Sequence, residues 1–214
     1  MKAVVTGAAS GLGKAIVEGL RTADIEVLAP GKDQLDVTSL DSVQDFIGAA
    51  GDIDLLVCNA GVIIDKTLSR MTEQDWSAVM DVNLRGAFLC AREVARGMAK
   101  RRAGHILFIS SFSALHPPLG QVNYSSAKSA LLGMMKSMAQ ELGRRNVRVN
   151  AIIPGFLETK MTAGLSNEIK QVICDRHVLG RYNTAQSVAG FVSYLHQHLP
   201  HTSGQIFNLD SRIL

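Results

Sequence analysis

The chain has 214 residues, 47% hydrophobic, with a mean hydropathy of +0.14, a formal charge of +3 and a pI near 8.8. That suits one domain with a substantial core and excludes a disordered chain. Basic residues are scattered apart from short runs such as Lys100-Arg101-Arg102 and Arg144-Arg145, so no nucleic-acid footprint is present. No apolar stretch approaches the ~20 residues needed to cross a bilayer.

Cys58, Cys90 and Cys174 are odd in number and never in C-x-x-C spacing, which points to free thiols filling a core in a reducing compartment. With no signal-peptide pattern ahead of the first apolar run, the cytoplasm is the expected location.

In chain order, apolar runs at 3–6, 25–29, 53–58, 105–110, 147–153 and 205–208 predict buried strands. Between them, 11–22, 40–50, 72–102, 121–144 and 184–197 carry helix periodicity, some with Ser, Thr or Asp near their starts. The alternation predicts an α/β fold, a single-domain doubly wound parallel sheet of Rossmann type. Residues 30–39 are too few for a full crossover, so a helix is expected to be missing after the second strand. His196, His198 and His201 cluster after the last helical segment, but no carboxylate or cysteine completes a metal set locally.

Two patterns carry chemistry. Thr6-Gly7-Ala8-Ala9-Ser10-Gly11-Leu12-Gly13 follows a strand and opens a helix, where free backbone amides and the helix dipole suit a pyrophosphate; tight strand–helix packing would use the same glycines. Tyr124 and Lys128, four apart, share a helix face, so the ammonium is expected to lower the phenol's pKa and make it a usable acid, with Ser111 able to hold a carbonyl oxygen.

With these motifs the chain resembles the short-chain dehydrogenase/reductase family, whose glycine motif is T-G-x-x-x-G-x-G. Asn59-Ala60-Gly61 resembles the family's N-A-G turn, with Cys58 where asparagine is common, and Asn83, Ser111, Tyr124 and Lys128 match its catalytic tetrad. Pro154-Gly155-Phe156-Leu157-Glu158-Thr159 resembles the segment that cradles the nicotinamide half of the cofactor. The resemblance implies that Tyr124 protonates a carbonyl oxygen as hydride reaches the carbon. It further implies that Lys128 tunes Tyr124 and bonds the nicotinamide ribose, Ser111 orients the oxygen, and Asn83 interrupts its helix and holds a water. Gly7, Ser10, Gly11, Leu12, Gly13, Asp36, Val37, Asn59, Ala60, Gly61, Tyr124, Lys128, Pro154, Gly155, Leu157 and Thr159 are then expected at the cofactor, Asp36-Val37 at its adenine.

NADP is favoured over NAD because the second strand ends in Leu28-Ala29-Pro30-Gly31-Lys32, with no acid at its tip and Lys32 available for the extra phosphate; Lys14 either helps or is a solvated helix residue. Ser10, where NADP-dependent relatives often carry arginine, and Asp33 argue for NAD. Within the family the chain is most similar to bacterial reductases of 3-oxoacyl groups on acyl carrier protein. Arg102 and Arg145 fall where those enzymes dock the acidic carrier, or are simply solvated charges. Another small ketone, sugar or steroid alcohol is the alternative substrate, and a non-catalytic nucleotide sensor or scaffold the remote one. The long segments 72–102 and 121–144 correspond to helices that relatives pair across a two-fold axis, so the resemblance implies a homotetramer or homodimer. The final Phe207-Asn208-Leu209-Asp210-Ser211 departs from the N-G-G close of those reductases.

Overall fold

In the computed structural model, which describes residues 1–9, 11–159 and 162–212, the six apolar runs become the strands of one parallel sheet. In chain order the elements are β1 (Lys2–Val5), α1 (Gly11–Arg21), β2 (Glu26–Leu28), α2 (Leu40–Ala50), β3 (Leu55–Cys58), α3 (Glu73–Met80), α4 (Ala87–Arg101) and β4 (Gly104–Ile109). Then come α5 (Val122–Gly143), β5 (Val147–Ile153), α6 (Asn167–Asp175), α7 (Ala185–His198) and β6 (Ile206–Asn208). The sheet order is β2-β1-β3-β4-β5-β6, and the order reverses between β1 and β3, where a doubly wound sheet opens its ligand crevice.

Both faces are covered, which explains why β3 is apolar at every position and buried throughout. One core packs Val4, Leu56, Ile106 and Val149 against α2, α4 and α5; the other packs Val5, Val57 and Leu107 against α1 and α7. Helix starts follow local capping chemistry. Ser39, Ser166 and Thr184 accept from backbone N–H groups in the first turns of α2, α6 and α7, and Thr72 with Asp75 forms a full capping box on α3.

The interruption expected at Asn83 is a π-helical turn, Asp81–Gly86, which divides segment 72–102 into α3 and α4. Two features differ from the sequence expectations. Helix α6 was not anticipated, because none of its residues is buried; Ser166 followed by Ile169, Val172 and Ile173 at helical spacing was the available signal. Beyond the expected missing helix, no strand among the described residues pairs with the outer edge of β2, whereas the usual nucleotide-binding half has three strands. A turn at Gly31, whose carbonyl accepts from Gln34 and Leu35, carries the chain directly from β2 toward α2.

Candidate functional site

The loops leaving β1, β3, β4 and β5 meet at one edge of the sheet. At the first, the Thr6 hydroxyl accepts from the Asn59 and Ala60 N–H groups, both at 3.0 Å, while Asn59 Nδ2 donates to the carbonyls of Thr6 (3.0 Å) and Gly7 (3.1 Å). This lattice leaves no room for side chains: a Cβ on Gly13 would stand 2.3 Å from the Gly7 carbonyl oxygen. Gly7 and Gly11 have φ of +64° and +55°, which glycine adopts without strain. Leu12 is buried in the core, so only its backbone faces the turn. Thr159 lies opposite, 3.5 Å from where a Gly11 Cβ would be. Ser10 lies outside the described residues.

At the far end of the crevice, the Asp36 carboxylate accepts from the N–H (2.9 Å) and hydroxyl (2.7 Å) of Thr38. Those bonds foremost, and the Lys32 charge to a smaller degree, hold its pKa below the ordinary value. Val37 backs onto the π-helical turn at Gly86, and Lys32 is exposed. Lys14 pairs with Glu18 at 3.8 Å on the outside of α1, as a solvated helix residue does.

Tyr124, Ala127, Lys128, Leu131 and Met135 form the buried stripe of α5, so the hydroxyl and amine point toward the sheet rather than to solvent. Lys128 Nζ donates to the Ile109 carbonyl at the end of β4 (2.9 Å), and the Ser110 hydroxyl donates to the Lys128 carbonyl (2.9 Å). Ser111 begins a short 3₁₀ turn, its hydroxyl accepting from Ser113 N–H at 3.1 Å. Asn83 explains the π-helical turn: its Nδ2 takes the carbonyl of Val79, four residues back, and that of Val62, each at 2.9 Å, competing with regular backbone pairing. Its Oδ1 is buried without a donor among the described residues; a Cβ on Gly61 would stand 2.7 Å from it and 3.6 Å from Lys128 Nζ. Asn83, Gly61 and Lys128 thus enclose one small polar space.

The expected tuning of Tyr124 by Lys128 is corrected. Burial has the largest effect and raises the phenol above its ordinary 10.0; Ser111 acts downward and the Asp65 carboxylate upward. Burial also lowers Lys128 from 10.5 to about 8. Lys128 is not among the groups that act on the phenol; its Nζ, 5.7 Å from the Tyr124 ring centre, is directed at the Ile109 carbonyl.

Other expectations resolve variously. Cys58 and Cys90 are buried, but Cys174 is only half buried on α6 and contacts the Gly180 carbonyl, so it is no core filler. His196 stacks on His105 with ring centres 5.6 Å apart, and no group of three or more potential metal ligands occurs among the described residues. Leu157 is buried in the α1–α7 core, and Gly155 has φ +85°. Arg102 and Arg145 lie side by side beyond the ends of α4 and α5, Arg102 donating to the Arg144 carbonyl at 3.1 Å. Since α5 runs ~1.5 Å per residue, that end is roughly 30 Å from Tyr124.

Sequence reasoning passed over Asn123 and Asp65. Asn123 accepts from Tyr124 N–H (2.7 Å) and donates to the carbonyls of Ile64 (3.1 Å) and Asp75 (3.3 Å), anchoring the start of α5. Asp65 accepts from Gln121 at 3.2 Å.

The model of the short chain dehydrogenase family matches residues 32–170. A 3-oxoacyl-[acyl-carrier-protein] reductase of Aquifex aeolicus is 37% identical over 234 residues, covering 97% of this chain and 94% of that protein. The chain belongs to the short-chain dehydrogenase family. The corresponding reductase of Thermotoga maritima is 35% identical over 237 residues, covering 99% of this chain and 96% of its own. Among solved structures, a provisionally assigned NAD(P)-dependent gluconate 5-dehydrogenase from Beutenbergia cavernae, with NADP at low occupancy, superimposes with a TM-score of 0.93 at 28% identity, covering 98% of this chain and 95% of that one. The six-stranded parallel sheet with helices on both faces is the fold expected of this family.

Proposed function

We propose that the protein is an NADPH-dependent reductase of ketones, with a 3-oxoacyl thioester on acyl carrier protein as substrate. The observation that carries the reading is the convergence of Ser111, Tyr124, Lys128 and Asn83 at the sheet edge that also holds the glycine turn. Two features fit a dinucleotide: the positive-φ glycines Gly7 and Gly11 at the start of α1, and the Asn83 Oδ1 beside Lys128, buried without a donor among the described residues.

Bound nicotinamide supplies the hydride for the carbonyl carbon. Tyr124, whose raised pKa keeps it protonated at neutral pH, donates its proton to the carbonyl oxygen. The Ser111 hydroxyl holds that oxygen. Lys128 and the Tyr124 hydroxyl would hold the nicotinamide ribose, Gly11, Leu12 and Gly13 the pyrophosphate through their N–H groups, Thr159 and the Pro154-Gly155 turn the carboxamide side, and Asp36 with Val37 the adenine. Lys32 is the cation offered to a 2′-phosphate. The small polar space between Asn83 and Lys128 is suited to returning a proton after each turnover.

The names of the curated relatives, and the gap between Arg102-Arg145 and the site, both bear on the substrate. A carrier docked on those arginines could not readily serve the same chain's Tyr124. Antiparallel pairing of α4 and α5 across a two-fold axis would instead set each arginine pair beside another copy's site, which supports a dimer or tetramer. The alternative substrate, a free sugar acid or other small ketone, is favoured by the structural neighbour.

The test follows oxidation of NADPH, then NADH, with a 3-oxoacyl carrier protein and with free small ketones. Fast NADPH oxidation only with the carrier-borne substrate is expected, and Tyr124→Phe should abolish it while NADPH binding persists. Strong turnover of free ketones alone would overturn the carrier-protein assignment.

A further inference from the structure

Beyond β6 the chain crosses three parts of the rim of the site. Leu209 N–H donates to Ile153 (2.9 Å), and Asn183 Nδ2 ties the carbonyls of Leu209 (3.2 Å) and Pro154 (2.9 Å) together. Asp210 then lies against the glycine of the Pro154-Gly155 turn, where a Cβ would meet its Cα at 3.3 Å. The Asp210 side chain has 0% exposure. Its Oδ1 accepts from Arg212 N–H (2.8 Å) and Nε (2.9 Å), and its Oδ2 from the terminal guanidinium nitrogen.

The same carboxylate oxygen has His177 Nε2 3.2 Å away, and His177 Nδ1 is bonded at 2.7 Å to the carbonyl of Ile173 in α6. Val178 N–H donates to Ser211 (3.2 Å), so main chain and side chains both join the tail to the end of α6. The guanidinium continues to Phe112, its Cζ 3.5 Å from the ring centre, while His116 stacks on the same ring at 4.9 Å between centres. Phe112 follows Ser111 directly and sits in the turn that the Ser111 hydroxyl caps.

A fully buried carboxylate is tolerated only when donors meet its charge and lone pairs, and a forked guanidinium does so in one plane. Here that plane is also the surface against which Phe112 lies, so the carboxylate dictates where the ring can sit. We propose that Asp210 and Arg212 are positioning residues, which clamp Phe112 and thereby set the Ser111 hydroxyl relative to the Pro154-Gly155 turn and α6. The proposal rests on the ketone-reductase reading for its kinetic consequence, but its structural half can be read without substrate.

The experiment compares Arg212→Ala, Phe112→Leu and the double variant. Each single change should lower kcat/KM for the ketone about tenfold, as expected when a reacting group loses its alignment. The double variant should lose little more, because both act through one contact. NADPH affinity should stay near that of the parent protein, and backbone amides of 111–116 should exchange hydrogen faster in Arg212→Ala. Arg212→Lys keeps a cation for Asp210 but no planar face, so it should recover thermal stability without recovering kcat/KM.

Additive losses, or unchanged exchange at 111–116 in Arg212→Ala, would overturn the clamp. Should Arg212→Ala fail to fold, Phe112→Leu leaves the ion pair intact and carries the exchange measurement alone. If the parent protein reduces no ketone, the functional reading fails, while exchange at 111–116 still decides the clamp.

Discussion

Lys128 Nζ donates to the Ile109 carbonyl at 2.9 Å with its side chain almost wholly buried, which ties the amine of α5 to the strand that delivers Ser111. The bond fixes position, and burial lowers the pKa of the ammonium to about 8. Reduction should therefore slow as pH rises through about 8, where Lys128 loses its proton, while the Tyr124 proton is still in place. A kcat/KM profile for ketone reduction from about pH 6 to about pH 10 checks this; a flat profile through about 8 would contradict it.

The same burial makes Lys128 a cost to the fold. The folded pKa of about 8 lies below the ordinary 10.5, so the unfolded chain binds more protons between those values and stability rises with pH across that window. At neutral pH the charged amine costs on the order of 3 kcal/mol. Lys128→Met should abolish turnover yet raise Tm, measured by thermal unfolding at neutral pH; a lower Tm would show that the Ile109 bond outweighs desolvation.

Gly13 admits no side chain, because its Cβ would stand 2.3 Å from a backbone oxygen and 2.5 Å from Asn59 Nδ2. Gly13→Ala must push α1 away from the Gly7 turn. NADPH affinity should fall at least tenfold, roughly 1.4 kcal/mol or more, with Tm also reduced. Titration by cofactor fluorescence measures the first and calorimetry the second.

If Arg102 and Arg145 dock an acidic carrier, reversing both to glutamate should raise KM for the carrier-borne substrate by about tenfold or more at low salt. The same 3-oxoacyl group on a short free thiol should be reduced at the parent rate, since it has no acidic carrier for the arginines to hold. Equal effects on the two substrates would assign the arginines to structure.

Away from the site, Asn150 Nδ2 donates to His105 Nε2 at 3.1 Å, which leaves the His105 Nδ1 hydrogen facing His196 Nδ1 at 3.4 Å. Burial, then Arg148, pushes both imidazoles toward the neutral form, His196 to about 4. Their folded pKa values lie below the ordinary 6.5, so stability is full above 6.5 and declines as pH falls from there toward 4. The slope approaches ~1.4 kcal/mol per pH unit for each proton taken up on unfolding. Urea unfolding at successive pH values should show the decline, and His196→Gln should flatten it.

Much of the site was legible before any coordinates. Gly7, Gly11 and Gly13 announce a turn because their conformations or contacts exclude side chains, and Tyr124 with Lys128 announces a shared helix face because four residues make about one turn. Asn83 needed its neighbours to be understood: the π-helical turn arises only because its amide finds the carbonyls of Val79 and Val62 together. Helix α6 escaped notice because it buries no residue, so its apolar spacing had no core to serve.

Apolar runs, capping residues and the glycine turn, all local in sequence, determined the alternating strands and helices and the residues gathered at the sheet edge. The tertiary structure alone decided that β2 is the edge strand of the sheet, that burial raises Tyr124 and lowers Lys128, and that Asp210, Arg212, His177 and Phe112 form one cluster. Hydrophobic period and turn preference act over a few residues, whereas desolvation and ion pairing depend on which distant segments exclude water from a given atom.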